Sequence, residues 1–216
     1  MTVTQQTGTL PETSDPEAPL RIVVVNGSPN EPSKTMGLVH VILDELRGMI
    51  PIVVSQIDVY RLGEGFTGAI GRDETGPAAE RALRLAEEAD LLLAATPVFR
   101  GSYPGMFKHF FDLVEQYALA NKPVLLAATG GSERHTLVLE HALRPLFGFF
   151  QAFTVPVAFF ASAGDFDGVT LLNPRVHTRI QVGLTDVIGI LRSRMAAESG
   201  HSPQMSLAWA PQGPRS

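Results

Sequence analysis

Hydrophobic and polar positions along this chain switch repeatedly between two periods. Residues 21–25 hold a short β-branched apolar run, the pattern of a strand covered on both faces. After a polar turn, Leu38, Val41, Ile42, Leu46 and Met49 recur at helical spacing. Strand patterns return at 52–57, 90–95, 122–128 and 154–160, and helical patterns at 78–89, 106–117, 136–150 and 176–195. Residues 60–77, rich in glycine, read as a long loop, and Pro97 ends the third strand. Five strands alternating with five helices predict an α/β fold with a parallel sheet wrapped on both faces. Right-handed crossovers leave few topologies, and the order 2-1-3-4-5 is the natural one. A ligand then sits outside the carboxyl ends of strands 1 and 3.

Composition narrows the classes. The 216 residues, 44% hydrophobic and 18% charged, suffice for one domain with a substantial core and leave apolar surface for a subunit contact. A net charge of -5 gives no reason to expect nucleic acid or an anionic membrane as partner. The absence of cysteine excludes disulfides, thiolate chemistry and Cys-ligated metal or iron–sulfur sites. Residues 1–19, with Pro11, Pro16 and Pro19, lack the basic start and apolar stretch of a signal peptide and are expected to form a disordered leader. Residues 20–197 form the domain, and 198–216, with Pro203, Pro211 and Pro214, a flexible tail. No segment reaches the ~18 consecutive apolar residues of a membrane span, so a cytoplasmic protein is expected.

Three loops at one sheet edge carry the chemistry. The first runs from Gly27 to Thr35 and opens a helix. Amides and the positive end of a helix there favour a phosphate, with Ser28, Ser33 and Thr35 offering hydroxyls and Lys34 a cation. Its single glycine matches neither the dinucleotide fingerprint nor the nucleotide-binding P-loop. The plainer reading is a capped helix with Ser33 as N-cap. After strand 3 comes Thr96 to Gly105, small residues beside Phe99 and Tyr103 that let backbone approach a flat ring. After strand 4 comes Thr129 to His135, where Gly130 and Gly131 suit close contact with a ring or, alternatively, a tight turn with positive φ. Convergence of all three on one ligand outweighs any single loop.

The segments Gly-Ser-Pro-x-x-Pro-Ser-Lys-Thr (27–35), Thr-Pro-Val-Phe-Arg-Gly-Ser-Tyr-Pro-Gly-x-x-Lys-x-x-x-Asp (96–112) and Ala-Thr-Gly-Gly-Ser-x-x-His (128–135) show a resemblance. From about residue 21 to 194 the chain resembles the NAD(P)H-dependent FMN reductases of the flavodoxin-like superfamily. Within it, the chain is most similar to those feeding two-component flavin monooxygenases of sulfonate-degrading and luciferase-like systems. The resemblance implies a flavodoxin-like three-layer sandwich, FMN and NAD(P)H as ligands, a monooxygenase partner and a homodimer or homotetramer. It implies that Ser28, Ser33, Lys34 and Thr35 hold the phosphate. It places Pro97, Val98, Phe99, Arg100, Gly101 and Ser102 beside the ring, and Thr129, Gly130, Gly131, Ser132 and His135 in the third flavin-contacting loop. The usual tyrosine of the Thr-Pro-Val-Tyr motif is Phe99 here, so its hydroxyl is missing. Hydride transfer needs two stacked rings and no protein acid or base, so no catalytic side chain is expected. Two alternatives remain: a quinone or azo reductase that keeps its FMN, and a flavodoxin-type electron carrier.

Other residues invite competing readings. His135 and His141 with Glu133 and Glu140 match neither H-E-x-x-H nor H-x-x-E-H, and no metal is expected. His135 reads as a helix cap or a neighbour of the flavin edge, and His141 as a partly buried packing residue or an interface group. Phe107, Phe110 and Phe111 with Phe147, Phe149 and Phe150 exceed what one sheet face needs, so part of them is expected at an oligomer interface. Lys108 and Asp112 predict a solvated ion pair. Asp165 and Asp167 read as turn formers, Arg100 as a surface cation or a contact for a pyridine-nucleotide phosphate. Ser132 and His135 lack an acid that would complete a triad.

Overall fold

The computed structural model describes residues 19–200, with side chains through Arg192. The expected leader, apart from Pro19, and the tail beyond Gly200 lie outside the described residues. Strands β1 (Leu20–Asn26), β2 (Ile52–Asp58), β3 (Leu91–Pro97), β4 (Pro123–Gly130) and β5 (Phe153–Ser162) form one parallel sheet of order β2-β1-β3-β4-β5. This is the flavodoxin-like topology expected from the alternation. Central strands β1, β3 and β4 are buried almost throughout, which is why they read as unbroken apolar runs.

Helices α1 (Lys34–Met49) and α6 (Pro174–Gly200) cover one face. The other is covered by α3 (Pro77–Glu87), α4 (Gly105–Leu113) and α5 (Arg144–Phe149). Ser33 starts α1: its Oγ accepts the Met36 N–H at 3.1 Å, and Leu38, Ile42 and Leu46 point into the core.

Two expected helices are shorter than their patterns. α4 stops at Leu113, because Val114 turns extended and the next amide, of Glu115, donates to the Glu87 carboxylate at 3.0 Å. The helix expected over 136–150 is a π-turn, Leu139–Leu143, followed by α5. Pro145 has no N–H for the His141 carbonyl, so a regular α-turn cannot be completed there. The loop expected at 60–77 contains the short helix α2 (Glu64–Thr67) and two 3-10 turns. Arg72 pins this segment to α3, pairing with Glu80 at 3.1 Å and also with Glu87.

After β5 comes a hairpin that the patterns do not reveal, β6 (Phe166–Asp167) and β7 (Thr170–Leu171), turning at Gly168 with φ 57°. Among the described residues no helix is long and apolar enough to cross a membrane.

Candidate functional site

The carboxyl ends of β1, β3 and β4 are level, and their loops are laced together. Gly27 N–H donates to the Ala95 carbonyl at 2.8 Å, and Val98 N–H to the Thr129 carbonyl at 2.7 Å. The Thr35 and Thr129 hydroxyls are 2.7 Å apart, joining the first loop to the third. At this junction lies a cavity of about 360 Å³, within the range of small-molecule sites. Ser28, Ser33, Lys34 and Thr35 line it from the first loop, Pro97 and Val98 from the second, and Thr129, Gly130 and Gly131 from the third.

The remaining expected residues stand outside this lining. Phe99 and Ser102 exchange backbone hydrogen bonds of 2.7 and 3.2 Å across a two-residue turn. Arg100 (φ 52°) and Gly101 (φ 88°) form that turn, and Phe99 is 42% exposed on it. Ser102 faces a different groove, with Tyr103 and His141. Ser132 precedes a 3-10 turn, Glu133–His135. His135 packs on Gly130: its Nδ1 lies 3.0 Å from where a Cβ of Gly130 would be, and that buried nitrogen has no hydrogen-bond partner. Neither Gly130 nor Gly131 adopts positive φ, so the tight-turn explanation of this pair fails. Close approach replaces it: at Gly130 a Cβ would also meet the Phe160 ring at 3.0 Å, and at Gly131 the space is open.

Sequence reasoning missed a fourth wall. Ala163, Gly168 and Val169, from the segment after β5, complete the cavity with Asn30 and Pro32. The glycines and aspartates at 164–168 signal a turn there, but nothing in them says that it folds back over α1. Asn26, the last residue of β1, carries no signal in the sequence pattern either; its Nδ2 donates to Asp58 at 2.7 Å and its Oδ1 accepts the Ser28 N–H at 3.0 Å, shaping the first loop.

The electrostatics favour an anion. Among the described residues lining the cavity, Lys34 is a cation and none is a carboxylate. The start of α1 adds its dipole and the amides of its first turn, of which Met36's is satisfied by Ser33. Because the Ser33 Oγ accepts that bond, its own proton stays available to donate outward. The capped-helix reading and the phosphate reading of Ser33 are therefore compatible. A phosphate end, an apolar wall of Pro97 and Val98 and an open backbone at Gly131 together fit a flavin mononucleotide. A neighbouring cavity of about 640 Å³ shares Ser28, Asn30, Pro32, Ser33 and Val169 but has Glu31, Asp44 and Asp58 on its walls and, among its described lining, no residue of the second or third loop. It lacks the converging backbone that a flat ring needs.

Comparison with known proteins identifies the chain's relatives. Residues 20–167 match the family model described as NADPH-dependent FMN reductase. The chain is 45% identical over 164 residues to the NADH-dependent FMN reductase SfnF of Pseudomonas fluorescens, covering 76% of this chain and 88% of that protein. It is 43% identical over 165 residues to FMN reductase (NADPH) of Pseudomonas aeruginosa, covering 76% and 89%. An X-ray structure of an oxidoreductase from Corynebacterium diphtheriae superimposes with a TM-score of 0.70 at 30% identity, covering 81% of this chain and 98% of that one.

Proposed function

The chain belongs to the NADPH-dependent FMN reductase family, and from that premise we propose that it reduces FMN with NAD(P)H and releases the reduced flavin to a partner monooxygenase. The observation carrying this reading is the cavity where three βα loops meet, with one lysine, one helix start and no carboxylate among its described lining residues. The Lys34 ammonium, the hydroxyls of Ser28, Ser33 and Thr35 and the first amides of α1 hold the phosphate. Pro97 and Val98 exclude water from one side of the ring, while the Gly130–Gly131 backbone borders its polar edge, with His135 packed behind Gly130. When bound, FMN accepts a hydride from the nicotinamide. Among the described residues lining the cavity none is a histidine or a carboxylate, so the chain contributes position and field rather than proton transfer.

The partner oxygenase rests on the resemblance of the three motifs to reductases of two-component systems. A second copy of this chain is also a partner in this reading. Of the five phenylalanines on α4 and α5 and Phe150 just after them, only Phe149 is largely exposed, at 64%, beside an open groove between these helices.

Oxidation of NADH and of NADPH is measured with FMN, FAD, riboflavin or no flavin added. Turnover that depends on added FMN is expected. A purified yellow protein that reduces quinones without added FMN would replace this reading with that of a flavin-retaining reductase.

A further inference from the structure

The segment joining β5 to α6 is closed upon one residue. Oδ2 of Asp165 accepts the Ser162 N–H at 2.6 Å and the Ser162 hydroxyl at 2.9 Å, while Oδ1 accepts from Asn173 Nδ2 at 2.5 Å. The Asp165 carbonyl accepts the amides of Leu172 (2.9 Å) and Asn173 (3.2 Å). Both ends of the 162–173 segment are thus tied to Asp165, and the segment between them lies over the start of α1. There the Ala163 carbonyl accepts from Lys34 Nζ at 3.1 Å, and the Phe166 ring centroid lies 5.8 Å from the same nitrogen. The hairpin tip is pressed so close to α1 that the Val169 carbonyl oxygen is 2.0 Å from where a Cβ on Gly37 would sit.

A lysine has four rotatable bonds, and its free rotamers dilute its charge over a wide volume. Among the described residues, the Lys34 ammonium's hydrogen bond and its ring contact both come from this segment rather than from α1 itself. Asp165 makes no ion pair with Lys34. Its charge is absorbed by its own donors: burial opposes ionisation, but bonds from Asn173 and Ser162 outweigh it and hold the carboxyl below the ordinary aspartate range.

We propose that Asp165 is a positioning residue for Lys34, clasping the 162–173 segment so that the ammonium is held at the phosphate end of the cavity, and that it thereby sets the preference for FMN over riboflavin. This rests on the reading of that cavity as the FMN site. Riboflavin carries the same ring without the phosphate, so a defect confined to Lys34 shows in the ratio of the two affinities. A general loosening of the fold moves both together.

The test titrates flavin fluorescence with the full chain, without pyridine nucleotide, for wild type, Asp165→Asn, Ser162→Ala, Lys34→Met and the Asp165→Asn/Lys34→Met double variant. Lys34→Met is expected to weaken FMN about tenfold and leave riboflavin unchanged, the size of a lost charge-assisted bond. Asp165→Asn places an amide donor against Ser162 or Asn173 and weakens FMN several-fold, again sparing riboflavin. The milder Ser162→Ala shifts the ratio in the same direction, and reads the clasp even where Asp165→Asn fails to fold. The double variant binds FMN no worse than Lys34→Met, because both act through one ammonium. Equal weakening of both flavins by Asp165→Asn and Ser162→Ala, or no change in FMN affinity while Lys34→Met is impaired, overturns the clasp. Equal binding of both flavins by wild type and Lys34→Met overturns the phosphate site itself, and the clasp with it.

Discussion

Two glycines separate space needed by the fold from space needed by a ligand. At Gly37 an added methyl would meet a backbone oxygen, Val169 O, at 2.0 Å, and backbone cannot step aside as a flexible side chain can. Alanine gains about 1 kcal/mol of helix propensity over glycine, whereas overpacking typically costs about 1–3 kcal/mol. Gly37→Ala should therefore lower stability on balance, read as a lower urea midpoint. At Gly131 an added methyl meets nothing within 4 Å and φ is not left-handed. Gly131→Ala should leave stability within about 0.5 kcal/mol yet raise the KM for FMN, since the methyl fills space at the cavity wall. An unchanged KM would remove Gly131 from the site. The need for glycine at 37 is invisible in the sequence, because its partner belongs to a hairpin far along the chain. Lys34, by contrast, is legible: a cation immediately inside a helix start that already carries hydroxyls.

At the scale of elements, what can be read depends on repetition. β1, β3 and β4 announce themselves because burial on both faces leaves no polar interruption. The two-residue strands of the β6–β7 hairpin are too short to show any period, so the fourth wall of the site is lost with them. The edge strand β5 shows another feature that no period encodes. Arg144 donates to the Val155 carbonyl at 3.1 Å and the Pro156 carbonyl at 3.3 Å, while also pairing with Glu140 at 2.6 Å. These bonds and Pro156 itself blunt an edge that could otherwise pair with another chain. The Arg144 hydrogen bond, working against burial, holds the Glu140 carboxyl below the usual glutamate range. A carboxyl lowered in the folded state stabilises above its unfolded pKa of about 4.3, and that share fades as pH falls through the lowered value. Because both side chains are partly exposed (26% and 48%), the pair is worth at most about 1 kcal/mol. Arg144→Met should thus be less stable at neutral pH, and the gap in urea midpoints should narrow, without closing, below pH ~4. A gap that stays constant with pH would assign the whole effect to the β5 carbonyls.

For the whole molecule, aromatic abundance is the signal that most overstates what lies at the surface. Six phenylalanines on two neighbouring helical patterns suggest more rings than one sheet face can cover. The structure buries Phe107, Phe110, Phe111, Phe147 and Phe150, with Phe111 meeting Phe107, Phe110 and Phe147 edge-on at 4.9–5.4 Å. Such edge-to-face contacts let a core hold many rings at favourable geometry, so counting them does not measure exposure. What remains outside is Phe149, stacked edge-on against the buried Phe150 at 5.3 Å. It borders a groove of about 740 Å³ that Lys108, Asp112 and His141 also line. An exposed aromatic beside polar and charged side chains is the mix from which protein contacts are built. If a second copy of the chain seats there, Phe149→Asp buries a charge in each contact it makes and leaves the folded subunit nearly untouched. Sedimentation equilibrium should then show the wild type as a dimer or tetramer and the variant as a smaller species, with an unchanged far-ultraviolet circular dichroism spectrum. An identical mass for the two proteins would move the subunit contact to another face and leave Phe149 as an ordinary exposed ring.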